Sequence, residues 1–414
     1  MERRDFFRAA GGLAGAAVLT SCAARPAAAP PKASTPAAAH LLFADVSAQV
    51  AAFDTRSGTT LFSAARPIPA AAWDYLYTVS PAGELVTLEA GTGKETSRTA
   101  VPPGLVARAV SQAGNAVALG APAPADPYGA PGRKETTLVI ADPAGRTAPK
   151  VVRLKGNFEP DGFSGGGEVL FVLEYLPATA PESYRVRAYD IESGTLGPLL
   201  TRNKTPVPKG DEETMRGEGR AAVLSPDRSR LYTLYTHQQN HLHTRDLVAG
   251  RKTGVHAFVH VLDLNQRWAY CLDLPEPFGH GPAAGHTLAV SAGSLYVYDG
   301  ASGTAVRAST DSLEIVTKAS PGASPGTAAA APARESLYIA AGTSLRAVDP
   351  ISLAVLREWR LPTANRGVAA GPDDRGVYAG VTDGVLRFSG AGQPSRLPFP
   401  GITWLRHASA PVAG

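Results

Sequence analysis

One short unit, written over and over, constrains this chain more than any other feature. It is a strand-forming run, a tight turn, and a second strand-forming run. It appears in QVAAFDTRSGTTLF (49–62), ELVTLEAGTGKETSRT (84–99), TLVIADPAGRTAPKVVRL (137–154) and YRVRAYDIESGTLGPLL (184–200). It returns in AFVHVLDLNQRWAYCLDL (257–274), SLYVYDGASGTAVRAS (294–309), SLRAVDPISLAVLREWRL (344–361) and VLRFSGAGQPSRLPF (385–399). Each opens with residues rich in Val, Leu, Tyr and Phe, which suit a pleated surface, and breaks at Asp, Ser, Gly or Pro, which tolerate turn dihedrals. A further strand pair with its own short turn precedes most of them: 107–120, 222–235 and 367–381. Strand pairs in fours, at about 45 residues per unit, predict a β-propeller.

The fold class expected is therefore all-β, a single propeller over residues 40–410. Eight hairpins predict eight blades. Seven is the alternative count if 84–99 or 385–399 is not a blade. HLLFADV (40–46) starts the first unit one strand short, and ITWLRHAS (402–409) ends the chain one strand long. The expectation is that the last strand completes the first blade, which removes an open sheet edge. The "SPD…LY" and "D…SGT" turns resemble bacterial surface propellers of the YVTN/WD40-like and quinoprotein-dehydrogenase-like groups. That resemblance spans 40 to about 408. It implies a fold and no particular activity.

With strands lettered A to D from the axis outward, A–B and C–D turns share one face, and B–C loops and D–A links share the other. Four insertions stand out: Gly120–Glu135, Thr201–Gly219, His237–Gly254 and Thr310–Gly326. Read as B–C or D–A segments, all four fall on one face. Long loops on a rigid scaffold are where binding resides.

The first residues read MERRDFFRAAGGLAGAAVLTSC. Paired Arg3 and Arg4 ahead of Phe resemble a twin-arginine export signal, and Leu19-Thr20-Ser21-Cys22 resembles a bacterial lipobox. The apolar run is too short to span a bilayer. The resemblance implies a signal peptide over 1–21, cleavage before Cys22 and a diacylglycerol on its thiol, which anchors the chain in membrane lipid. Residues 22–39 then read as an Ala/Pro-rich spacer. The expected location is the outer face of the cytoplasmic membrane.

Net charge is only +4, so nucleic acid is not an expected partner. Besides Cys22 the chain has one cysteine, Cys271, read as a small packed residue with no disulfide partner. No GxSxG or HExxH motif is present. Asp54, Asp142, Asp190, Asp263, Asp299 and Asp349 recur at one point of six units and read as turn caps. GDEETMRGEGR (210–220) reads as a solvated link.

HQQNHLHTRD (237–246) sets three histidines within seven residues. On the elaborated face His237, His241, His243, Arg245 and Asp246 read as a recognition loop. His241 and His243 point the same way in an extended segment, and with His237 and His256 they form a candidate metal set. No cofactor is otherwise expected. His256 and His260, flanking Phe258, read as structural. The function expected is a lipid-anchored, monomeric binding or scaffold protein for a protein, peptide or glycan. The alternative is an extracytoplasmic enzyme, a quinoprotein-like dehydrogenase or lactonase-like hydrolase, using the axial funnel with a metal or bound cofactor.

Overall fold

The computed structural model describes residues 39–411 apart from 209, 217, 253, 374, 375 and 390–392. Arg3, Arg4, Leu19, Thr20, Ser21 and Cys22, with the signal and nearly all of the spacer, lie outside the described residues. No helix among the described residues is long and apolar enough to cross a membrane.

Eight sheets, each built on four antiparallel strands, form an eight-bladed propeller. The second blade shows the plan: Ile68–Pro69, Tyr75–Ser80, Glu84–Glu89 and Glu95–Ala100 run from the axis outward. Blade 1 takes its innermost strand, Ile402–Ser409, from the end of the chain, beside Leu41–Val46, Gln49–Asp54 and Thr59–Ala65. Leu41 pairs with Ser409 and Val46 with Ile402, so the ring closes as expected.

Alternation along each strand sends successive side chains into the two flanking interfaces. Eight buried apolar clusters result, one for each junction between neighbouring blades. In blade 5, Val259 and Val261 face blade 6, whereas Phe258 and Leu262 face blade 4. The six recurring aspartates do cap turns. Asp54, Asp142, Asp190, Asp263, Asp299 and Asp349 each accept a backbone N–H two or three residues on.

One assignment is corrected. In blade 6 the strands are His286–Ser291, Ser294–Asp299, Thr304–Ser309 and Ile315–Ala319. The hairpin 294–309 is therefore B–C, and 310–326 is no single insertion, because it contains the outermost strand. The long B–C and D–A segments are 121–134 in blade 3, 199–217 between blades 4 and 5, 237–257 in blade 5 and 274–285 between blades 5 and 6. All belong to one face. The described chain enters the disc at the opposite face, where Leu41 begins a B strand.

Candidate functional site

Two of these insertions meet at the outer part of the junction between blades 4 and 5. After the last strand of blade 4, Leu196–Pro198, the chain crosses over and lays Leu200–Thr201 parallel to Trp268 and Ala269 on the outer edge of blade 5. It then turns back, and Met215 forms an antiparallel bridge to Tyr184 on strand Ser183–Asp190 of blade 4. The blade 5 insertion folds over from the other side. His241 bridges Val255, and a five-residue helix, Thr244–Val248, follows. The Glu213 carboxylate accepts the Thr244 N–H at 2.8 Å, tying connector to insertion.

Between them lies a cavity of about 550 Å³. Leu199, Val207, Met215 and Val248 supply apolar wall, and Glu213, His243, His260 and Cys271 supply the polar floor. Such a cavity, mostly apolar with a few convergent polar groups, is the ordinary form of a ligand site.

The floor is organised by sheet register. His260 and Cys271 are directly opposed on neighbouring strands of blade 5, so their side chains share the face turned to blade 4. The Cys271 thiol donates to Glu213 Oε1 at 3.0 Å. The other carboxylate oxygen, Oε2, stands 3.5 Å from His243 Nδ1. On its far side His243 Nε2 meets Asp273 Oδ1 at 2.8 Å. Phe258 stacks on His241 at 4.5 Å and meets the His243 ring edge-on at 4.7 Å.

Burial disfavours the ionised Glu213, but the adjacent imidazoles of His243 and His260 and the Cys271 thiol outweigh it and hold the carboxyl well below its usual range. Burial also works against a charged His243, yet Asp273 and Glu213 raise its pKa above the ordinary value. His241 is pushed down to about 4, chiefly by burial. Burial and the nearby Glu213 carboxylate push the Cys271 thiol well up. The cluster thus holds a carboxylate and a neutral imidazole against a thiol that keeps its proton.

Of the sequence candidates, His241 and His243 come together, their rings 4.8 Å apart. His237 does not join them. Its Nδ1 meets Thr236 Oγ1 at 2.9 Å, and its ring faces His286. His256 lies instead with Glu276 and His280 in a more exposed group. Asp246 accepts the His243 N–H and pairs with Arg251, which makes it a brace of the short helix. Arg245 lines the cavity, bonding the Cys271 carbonyl and Asp273.

Glu213, His260 and Cys271 were not read as site residues from sequence, and the reading of 210–220 as a solvated link is overturned by buried Met215. A signal for His260 and Cys271 existed. In VHVLD His260 sits in a strand buried on both faces, and in AYCLD Cys271 takes an inward position of the outer strand.

No protein-family model and no curated protein matches this chain in sequence. Solved structures match its fold. Dihydro-heme d1 dehydrogenase NirN in complex with DHE superposes with a TM-score of 0.52 at 13% identity, covering 92% of this chain and 77% of NirN. AztD from Citrobacter koseri superposes with a TM-score of 0.55 at 10% identity, covering 90% of this chain and 97% of AztD. Its apo form gives 0.50 at 12% identity, with the same coverages. At these identities the likeness is one of fold: the chain is a β-propeller.

Proposed function

We propose that this is an exported propeller, tethered through a lipidated Cys22, which binds a protein, peptide or glycan partner by admitting one of its side chains or residues into the cavity between blades 4 and 5. The observation that carries this reading is the convergence of two insertions around one cavity of about 550 Å³ with apolar walls and a polar floor. The described chain joins the disc on the face opposite the insertions. At the inner strands Arg108, Asp161 and Arg228 line a smaller cavity of about 190 Å³.

The test is a pull-down from solubilised envelopes of the native host, comparing wild type with Val207→Trp and Ala249→Trp. Both residues line the cavity, and neither is buried. The bound set should be lost or sharply reduced in both variants while the fold is retained. An unchanged set would refute the cavity as the binding site.

A further inference from the structure

We infer that Glu213, His241 and His243 form a binding site for one divalent transition-metal ion of the zinc class, with a remaining coordination position open to the cavity. One ligand atom from each residue lies within 4.8 Å of the other two. His241 and His243 come from the blade 5 insertion and Glu213 from the connector between blades 4 and 5, and each is held from behind.

Three features argue for an ion at this point. First, two buried imidazole nitrogens there have no hydrogen-bond partner, His241 Nε2 and His243 Nδ1. The residues are 8% and 2% exposed, so both nitrogens are shielded from bulk solvent. Second, the 3.5 Å between His243 Nδ1 and Glu213 Oε2 is too long for a good hydrogen bond. It suits two ligands of a tetrahedral ion, which stand about 3.3 Å apart when metal–ligand bonds are about 2.0–2.1 Å. Third, the outer contacts are those of a metal site. Asp273 takes the Nε2–H of His243, which leaves Nδ1 as the lone pair. Thr244 N–H and the Cys271 thiol hold the two oxygens of Glu213. Phe258 fixes both imidazole planes.

Two imidazoles and one carboxylate select zinc-class ions over calcium or magnesium. Three protein ligands with a fourth position toward a cavity is the open arrangement, distinct from the closed sets of structural zinc. This inference goes beyond the reading of the cavity as a partner site, and it is tested without any partner.

The experiment is titration of the chelator-treated, full-length protein with Zn²⁺, by calorimetry and by competition with a chromogenic chelator. One ion should bind per chain. His241→Ala, His243→Ala and Glu213→Gln should each weaken binding 100-fold or more. Asp273→Asn, at a residue that bonds His243 and Arg245 without being a ligand itself, should weaken it about 10–100-fold. His256→Ala and His280→Ala should leave it unchanged. Should the site variants fail to fold, Co²⁺ loaded into the wild type gives an independent reading. Tetrahedral d–d bands without a thiolate-to-cobalt charge-transfer band support the assignment. A strong thiolate band would move the ion to His260 and Cys271 and overturn it. Absence of binding by the wild type, or binding abolished by the His256 and His280 variants, would overturn it too.

Discussion

Met215 exchanges both backbone hydrogen bonds with Tyr184, at 2.7 and 2.9 Å, and this pair turns the link between blades 4 and 5 into a cavity wall. The Met215 side chain is buried among Tyr184, Tyr235 and Cys271. Glu213 reaches the cavity floor because Met215 is anchored two residues later.

Met215→Ala should therefore cost about 2–5 kcal/mol of stability, the usual range for truncating a buried Met. Denaturant unfolding measures this. A loss below about 0.5 kcal/mol would mean that the connector is not anchored by this side chain.

Gly367 guards the seam where the ring closes. Its φ is +91°, and a Cβ there would stand 2.2 Å from the Leu405 carbonyl oxygen on the closing strand. Leu405 N–H donates to the neighbouring Arg366 carbonyl at 2.6 Å. Gly367→Ala must push the last strand away, with an expected loss of about 2–4 kcal/mol. Thermal and denaturant melts would show it, and an unchanged midpoint would contradict the seam geometry.

His407 on the closing strand stacks on Trp73 at 4.9 Å. Burial first, and then the Arg228 charge, push its pKa down from 6.5 to about 4. The unfolded chain thus binds the extra proton more readily. Stability from this group is complete above pH 6.5 and falls away as pH drops toward 4, by up to about 3 kcal/mol. His407→Phe should flatten that part of the melting profile between pH 6.5 and 4. An identical acid slope in the variant would contradict the assignment.

The proposed tether has its own test. Cys22→Ala should release the chain from membranes into the soluble extracytoplasmic fraction. Lys at both Arg3 and Arg4 should leave uncleaved precursor inside the cell. Membrane association unaffected by Cys22→Ala would end the lipid-anchor proposal.

The propeller was legible because its evidence is local. Val/Leu/Tyr alternation and a turn aspartate lie within a dozen residues of each other, and Asp54 and Asp349 do the same job in their separate units. Blade 6 was misplaced for the same reason. The B–C turn at DGASGT has the chemistry of the outer turns elsewhere, so sequence alone assigned it outward. The floor of the cavity was only half legible. His241 and His243 are neighbours in sequence, and their shared direction follows from extended backbone. Glu213 is not their neighbour. It arrives from a charged segment 28 residues earlier, carried in by the Met215–Tyr184 bridge, and no local pattern marks a carboxylate for burial. The pairing of His260 with Cys271 depends on strand register, which hydrophobic alternation fixes only once the hairpin turn is known.

The most direct measurement is a crystal structure of the protein purified from its own host's envelope, with difference density inspected in every cavity. The account predicts bound material in the cavity walled by Leu199, Val207 and Met215, between blades 4 and 5. Density confined to the inner-strand cavity beside Arg108 and Arg228, with the junction of blades 4 and 5 filled only by solvent, would contradict it.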